Sequence, residues 1–182
     1  MKIADTIIQV DKSKDNPLRQ TCREVTHEEF SSVYLRDVIN AMSKALKAES
    51  DGVAIAAPQI GIPLRIFVVS VNSYEEETKS KPLVFINPKI IKQSRKSAIM
   101  QEGCLSVRWI YGKTKRSLLA TVEAYDTEGN KFSYGGTGLI AHIFQHEVDH
   151  LDGVLFIDHG FDFKEYTEEE IRQAEAEAKN TK

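Results

Sequence analysis

The spacing of apolar residues predicts a first amphipathic helix over residues 28–48. Thr26 and Glu29 fit a capping box, in which the threonine caps the helix and the glutamate reaches back to it. The apolar side chains that follow recur every three or four residues and so share one helix face: Phe30, Val33, Leu35, Val38, Ile39, Met42, Ala45 and Leu46. This apolar stripe is expected to dock the helix on the core.

A second helix is predicted over residues 137–151. Thr137 suits the N-cap position, and no proline or glycine interrupts the chain from Leu139 to Leu151. Gly153 then supplies a glycine stop signal just beyond the last helical residue.

The remaining pattern predicts short strands and one terminal helix. Runs of apolar and β-branched residues indicate strands at 7–10, 64–71, 83–88, 89–92, 118–125 and 131–134. Residues 126–130 between the last two runs carry a hairpin signal, and residues 73–81 read as a charged loop. Thr167 and Glu170 cap a charged helix over about 167–180. The fold class is therefore α+β: short, mainly antiparallel strands around a central helix, with one helix before it and one after it.

Composition narrows the class of protein. The chain has 182 residues, 41% of them hydrophobic, which suits one globular domain over 1–182 with a core at about 7–158. The net charge of −3 shows no excess of positively charged residues, so direct nucleic-acid binding is not expected. No apolar run reaches the roughly 18 residues of a membrane span, and no secretory signal begins the chain. With only two cysteines, a reducing cytoplasmic location is expected.

The second helix carries the strongest chemical motif, an H-E-x-x-H pattern. His146 and His150 lie one helical turn apart on the same face, so both imidazoles can converge on one metal ion. Glu147 is displaced around the helix and can act as a general base on a water without ligating the metal. Such a helix still needs a third ligand from elsewhere.

Two other stretches contain candidate residues whose roles stay open on local grounds. Cys104 lies in Gln101–Val107 and is either a buried structural thiol or a soft third ligand. Residues 52–61 are dense in small side chains, with Gln59 as their long polar member. That composition suits close approach to another backbone, but it also suits a tightly packed strand and turn. Cys22 has no partner in its sequence neighbourhood and is expected to be a surface or packing residue rather than a ligand.

Three stretches together resemble the peptide deformylase family. They are Gly52-Val53-Ala54-Ile55-Ala56-Ala57-Pro58-Gln59, Glu102-Gly103-Cys104-Leu105-Ser106 and Gln145-His146-Glu147-Val148-Asp149-His150. The order and separation of these stretches suit the family, and the resemblance runs from about residue 7 to 158. The second and third motifs together are highly specific, whereas zincin peptidases share only H-E-x-x-H.

The resemblance implies one divalent metal ion held by Cys104, His146 and His150, natively Fe(II) and replaceable by Zn, Ni or Co. It implies that water attacks the formyl carbon of an N-formylmethionyl peptide while Glu147 shuttles the proton. The Gln59 amide and the Leu105 N–H would then stabilise the oxyanion. The partners implied are nascent chains at the ribosome, and the protein is expected to be a monomer.

The resemblance also assigns residues around this centre. Residues expected to bind substrate are Gly52, Val53, Ala54, Gly103, Leu139 and His142. Residues expected to support the ligands from behind are Glu102, Gln145, Asp149 and Arg116, with Glu102 paired to Arg116.

Four residues depart from the family pattern. Ala54 stands where a glycine is usual, which is harmless only if its φ is negative. Arg108 and Trp109 replace a proline-containing pair and are expected to loosen that loop, to form a rim over the cleft, or to be merely exposed. His142 replaces an apolar residue of the methionine pocket. It lies about 12 Å along the helix from His150, too far for both to bind one metal with His146. The alternatives are a histidine satisfied within the helix or a more polar side-chain pocket, and the hypothesis is that the preference for methionine is weakened.

Three classes of function remain in view. The first is a metal-dependent deformylase, with altered acyl or side-chain specificity as a variant of it. The second is another metallohydrolase, such as a zincin-type peptidase, against which a cysteine ligand argues. The third is a catalytically silent binder of peptides or ribosomes, against which the intact set of candidate catalytic residues argues.

Overall fold

The structure is a computed structural model that describes residues 3–11, 16–70 and 82–180. Its helices are α1 (Val33–Ala48), α2 (Gly138–Leu151) and α3 (Glu168–Asn180). Its strands are β1 (Ala54–Ala56), β2 (Ile66–Val69), β3 (Leu83–Gln93), β4 (Ser97–Gly103), β5 (Ile110–Ser117), β6 (Leu119–Tyr125), β7 (Lys131–Thr137) and β8 (Phe161–Glu165). Within this part of the chain, no helix has the length and apolar character needed to cross a membrane.

The strands form two antiparallel sheets. One has five strands in the order β1-β2-β3-β6-β7, and the other has three in the order β4-β5-β8. Consecutive strands are mostly neighbours, since β2–β3, β4–β5 and β6–β7 pair directly. The α+β class predicted from the sequence is confirmed, including the central helix with one helix before it and one after it.

Helix α2 is the central element because it packs its apolar side against the five-stranded sheet. Phe144 of α2 lies 5.3 Å from Phe85 of β3 and 6.2 Å from Phe67 of β2, measured between ring centroids. All three rings are fully buried. Such rings bury large apolar areas, so this cluster fixes the rotation of α2 and thereby the direction of its polar side chains.

Both ends of α2 are tied to the rest of the chain. Thr137 occupies the predicted N-cap position, but its side chain makes no capping hydrogen bond. At the other end, the Leu151 carbonyl accepts hydrogen bonds from Cys22 N at 2.8 Å and from Arg65 Nη1 at 3.3 Å. The Arg65 cation also suits the negative end of the helix dipole. Cys22 is thus a packing residue, as expected, and burial raises the pKa of its thiol to about 11.

The first predicted helix begins later than the sequence pattern indicated. The Thr26–Glu29 capping box is present, but it closes a separate 3₁₀ turn at His27–Glu29. The chain then reverses at Ser31, which has a φ of 63°, and the Ser32 side chain accepts a hydrogen bond from Leu35 N. Because Ser32 is the N-cap, the helix runs from Val33 rather than residue 28.

Two strand predictions were wrong. Residues 7–10 form no strand, although Ile8 N bonds to the Gln59 carbonyl and Val10 N to the Ser106 carbonyl. The separate strands predicted at 83–88 and 89–92 are one strand, β3. Its register shifts between Ile86 and Lys89, and Asn87 there has a φ of 51°. This bulge accommodates Pro88 without ending the strand. The charged loop at 73–81 lies outside the described residues.

Candidate metal centre and active-site cleft

Three potential metal ligands converge between α2 and the loop after β4. His146 and His150 project from α2, and Cys104 directly follows β4. The Cys104 Sγ lies 3.2 Å from His150 Nε2, and the candidate ligand atoms of the three residues all lie within 4.8 Å of one another. One sulfur and two imidazole nitrogens at this separation fit a divalent transition metal with an open position.

Cys104 and His146 border a cleft of about 270 Å³. Its walls come from the segment around β1, the loop after β4, the start of β5 and one side of α2. The predicted site residues that line it are Val53, Ala54, Gln59, Glu102, Gly103, Cys104, Leu105, Leu139, His142, His146 and Glu147. Val53 and Glu147, which are 94 positions apart in the sequence, therefore meet at one cavity.

Glu147 lines the cleft and has a carboxyl oxygen that is available as a hydrogen-bond acceptor. Its side chain is buried, and its Oε2 atom has no hydrogen-bond partner among the described residues. Burial raises the pKa of the Glu147 carboxyl to about 7, although the nearby His146 acts in the opposite direction. An unpaired buried carboxyl oxygen beside three ligand side chains fits a position where a water or a substrate atom is bound.

Glu102 is the hub of a buried polar network. Arg116 donates to both of its carboxyl oxygens, from Nη2 to Oε1 at 2.7 Å and from Nε to Oε2 at 3.1 Å. Thr114 Oγ1 donates to Oε2 as well. The ring of His142 lies 2.6 Å from Oε2, and that of His146 lies 2.5 Å from Oε1. Sequence reasoning expected the pair with Arg116 but not the contact with His142.

The charge of Glu102 fixes the orientation of both imidazoles. Burial disfavours the charged form, but the hydrogen bonds from His142, His146 and Arg116 outweigh burial and hold the pKa of Glu102 well below its usual range. The carboxylate therefore accepts from His146 Nδ1 and His142 Nε2, which must both carry hydrogen. This leaves His146 Nε2 as the nitrogen with a lone pair available for a metal.

Gln59 and Leu105 lie beside Cys104. The Gln59 Oε1 accepts from Ala56 N at 2.8 Å, so its Nε2 group is directed toward Ser106 Oγ at 3.1 Å and Cys104 Sγ at 3.7 Å. No described residue accepts a hydrogen bond from the Leu105 N–H. The Gln59 amide therefore lies next to the sulfur, and the Leu105 N–H is a donor without an acceptor among the described residues.

The other predicted supporting residues lie on the α2 side of the network. Asp149 accepts from Arg116 Nη1 at 2.6 Å and so extends the Glu102 network. Gln145 instead bonds to both backbone groups of Ser117, which ties α2 to the end of β5. Gln145 therefore positions the helix rather than the individual ligands.

Gly52 is the one predicted substrate-binding residue that does not line the cleft. A Cβ at Gly52 would lie 2.9 Å from the Leu46 side chain, so the residue is small because it packs against the end of α1. Ala54, in contrast, lies in β1 and does not have a positive φ. Its methyl group therefore replaces glycine without backbone strain.

Arg108 and Trp109 form a rim over the cleft. Arg108 Nη1 bonds to Asp51 at 2.8 Å, and its other terminal nitrogen bonds to Glu49. The guanidinium carbon also lies 4.5 Å from the centroid of the Trp109 ring. This bridge joins the loop after β4 to the segment after α1, so the rim interpretation holds and the exposed pair does not.

Thr114 and Ser106 are polar site residues that sequence reasoning missed. Thr114 and Arg116 are two residues apart on β5 and therefore face the same side of the sheet. The sequence analysis predicted no strand over residues 110–117, so this alternation was not available as a signal for Thr114. Ser106 carried no signal either, because its contact with Gln59 spans 47 residues.

The fold and the site together define a metal-dependent hydrolase. A two-histidine helix, a third thiol ligand and an adjacent buried glutamate in a cleft are the parts needed to activate water against an amide bond. Comparison with known proteins identifies the family. A sequence profile described as polypeptide deformylase matches residues 6–166.

Individual relatives agree with this match. A peptide deformylase of Desulforudis audaxviator is 36% identical over 152 residues, which cover 84% of this chain and 92% of the relative. One from Rhizobium meliloti is 44% identical over 111 residues, which cover 61% of this chain and 63% of that protein, less than two thirds of its length. The crystal structure of a peptide deformylase from Synechococcus elongatus in complex with actinonin has a TM-score of 0.73 and 33% identity, covering 86% of this chain and 78% of that one.

The chain therefore belongs to the polypeptide deformylase family. Enzymes of this family are metal-dependent hydrolases that remove the formyl group from the N-terminus of nascent peptides.

Proposed function

We propose that this chain hydrolyses the N-terminal formyl group of N-formylmethionyl peptides at the cleft beside Cys104, His146 and His150, with release of formate. The observation that carries the proposal is that a sulfur and two imidazoles converge within 4.8 Å next to a buried glutamate. We further propose that residues 1–182 act as one catalytic domain, and that the monomer acts in the cytoplasm on nascent chains at the ribosome.

Cys104, His146 and His150 would hold one divalent ion, for which we propose Fe(II). A thiolate and two imidazoles also accept Zn, Ni or Co, so the ligand set alone does not select among them. When bound, the ion supplies Lewis acidity, which makes water a nucleophile near neutral pH and polarises a carbonyl oxygen. The thiolate and both imidazoles must be unprotonated to bind it.

Glu147 moves the proton in the proposed reaction. Its carboxylate accepts a proton from water as the oxygen attacks the formyl carbon, and it then donates that proton to the leaving amine. The free Oε2 atom of Glu147 is available for this role. Because burial raises its pKa toward 7, the carboxyl both accepts and returns a proton more readily near neutral pH than an exposed glutamate would.

The proposal is tested by formate release from formyl-Met-Ala-Ser with anaerobically purified, Fe(II)-loaded protein. We expect formate and Met-Ala-Ser as products in equal amounts. Cleavage of the peptide bonds of unformylated Met-Ala-Ser would instead indicate a zincin-type peptidase. Binding of the formyl peptide without formate release would indicate a silent binder.

Gln59 is proposed to donate its Nε2–H to the oxygen that becomes negative, together with the Leu105 N–H. Gln59→Glu keeps the shape and the Oε1 acceptor for Ala56 but removes the N–H donor. Loss of one such donor costs about 2.7–4 kcal/mol, so we expect kcat to fall by roughly 10²- to 10³-fold. Steady-state formate release measures the change. A kcat within a factor of three of the wild type would exclude Gln59 from this role.

His142 gives the cleft a polar wall, which favours altered side-chain specificity. The imidazole is buried and lines the cavity together with Leu139 and Ile143. A thioether gains less from contact with an imidazole than from contact with an aliphatic side chain. We therefore expect the His142→Ile variant to raise the kcat/KM ratio of formyl-Met over formyl-Ala peptides by roughly 3- to 10-fold, which is of the order of burying one more CH₂ group. Equal ratios in the two proteins would refute the hypothesis.

A further inference from the structure

Two imidazoles share the Glu102 carboxylate, and only one of them belongs to the candidate metal ligands. His146 donates to Oε1 at 2.5 Å, and His142 donates to Oε2 at 2.6 Å. Both histidines lie on α2, four residues apart, so they meet the carboxylate from the same helix face. Glu102 therefore joins a cavity-lining residue to the ligand His146.

The position of the Glu102 carboxylate determines the direction in which His146 points its other nitrogen. A carboxylate bound at only one oxygen can rotate about its terminal torsion, which is a soft degree of freedom. Here Arg116 holds both oxygens, donating from Nη2 to Oε1 and from Nε to Oε2, and Thr114 and His142 hold Oε2 as well. His142 thus adds to the contacts that fix Oε2 and keep Oε1 in place for the His146 Nδ1–H.

We propose that His142 is a positioning residue for the metal site, which acts through Glu102 on His146. The inference rests on the proposed function, because it requires His146 to be a ligand. Groups that orient a ligand imidazole hold its lone pair on the metal and thereby slow metal loss. His142 is one step further from the metal than Glu102, so its effect is smaller than the effect of removing Glu102 itself.

The competing interpretation is that His142 is an ordinary buried side chain whose hydrogen bond only satisfies its own N–H. The two interpretations differ in which property of the side chain matters. If His142 positions Glu102, a replacement that keeps an N–H donor at the Nε2 position preserves the site. Glutamine is such a replacement, whereas isoleucine fills similar space without a donor.

The test uses the full-length protein loaded with Co(II), in wild type and in the variants His142→Gln, His142→Ile and Leu139→Ala. Leu139 lines the same cleft from α2 and is half exposed, so Leu139→Ala controls for changes in the cavity alone. Two quantities are measured: the rate of Co(II) loss to an excess of chelator, and the visible d–d absorption of the bound ion. Neither depends on turnover of substrate.

We expect His142→Ile to lose Co(II) about 10-fold faster than the wild type, at the lower end of the 10- to 100-fold range typical of partners around metal ligands. Its d–d bands are expected to shift, while His142→Gln and Leu139→Ala stay close to the wild type. Equal rates of Co(II) loss in all four proteins would overturn the inference. Equal rates of Co(II) loss in His142→Gln and His142→Ile would overturn it as well.

Failure of the metal site itself gives a different result. If wild-type protein binds no Co(II), the three residues do not form a metal site. If it binds Co(II) without a sulfur-to-metal charge-transfer band, Cys104 is not a ligand. In both cases the proposed function fails together with the inference. If the wild type shows the band and His142→Ile behaves like it, only the role of His142 is refuted.

Discussion

Glu147→Gln is expected to lower kcat for formate release by about 10²- to 10⁴-fold while leaving metal binding intact. The glutamine keeps the size of the side chain, but it cannot accept the proton of the attacking water or return it to the amine. Among the described residues, Glu147 makes no hydrogen bond to any of the three ligands, and its Oε2 has no partner. Its loss should therefore affect the chemistry rather than the assembly of the site.

The measurement is formate release from formyl-Met-Ala-Ser, with the metal content of each preparation determined in parallel. Glu123→Gln is a matched control, since Glu123 is a strand residue that pairs with Lys131 at 2.8 Å outside the cleft. Surface ion pairs of this kind contribute little to the free energy of folding, so this control should stay folded and retain wild-type activity. Full activity of Glu147→Gln with metal bound would exclude the proton transfer assigned to Glu147.

The pH dependence follows from the same residue. Burial raises the pKa of Glu147 to about 7, while positive charge on the nearby His146 lowers this pKa because it favours the carboxylate. The base must be ionised, so kcat/KM is expected to fall as the pH drops below a point at or under 7. This decrease is measured by a profile of kcat/KM from pH 5 to pH 9. An activity that increases toward low pH would contradict the assignment of Glu147 as the base.

Much of this site follows from short-range sequence patterns, because helices and strands repeat regularly. The pair His146 and His150 is four residues apart, and that spacing alone places both on one face of α2. The hairpin of β6 and β7 likewise follows from apolar runs on either side of a turn. Local periodicity thus predicted the central helix and the α+β class.

The parts that could not be predicted depend on contacts between distant residues. His142 meets Glu102 across 40 residues, and the bulge at Asn87 is held by hydrogen bonds to Val25, 62 residues away. The start of α1 at Val33 depends on a left-handed backbone at Ser31, a conformation that serine rarely adopts. No periodicity along the chain encodes such features, because they are set by the packing of one element on another.

Cys104→Ala is expected to remove tight metal binding and, with it, activity. The substitution deletes one of three ligands, so the affinity should fall by more than the roughly 10- to 100-fold that loss of a surrounding partner costs. Metal content after anaerobic dialysis against a chelator measures the effect. The variant should still fold, because the Cys104 thiol is only partly buried and contributes little apolar surface.

Cys22→Ala is the matched control, because Cys22 is the other free cysteine and lies in the core near Arg65. It should retain metal and activity, apart from a modest loss of stability. The two thiols should also differ in reactivity. Burial raises the pKa of Cys22 to about 11, so little of it is thiolate at neutral pH and reagents reach it poorly.

Alkylation of the metal-free protein should therefore modify Cys104 first. Added Zn or Co should slow that modification, since coordination withdraws electron density from the sulfur and makes it a weaker nucleophile. The direction of this protection separates a ligand from a cysteine that is merely exposed at the cleft. If metal leaves the alkylation rate of Cys104 unchanged while His146→Ala abolishes binding, the ion is held without sulfur. The site would then be that of a two-histidine hydrolase whose third ligand comes from another residue. The roles of Gln59 and Leu105 would have to be reassigned, because both depend on their position beside Cys104.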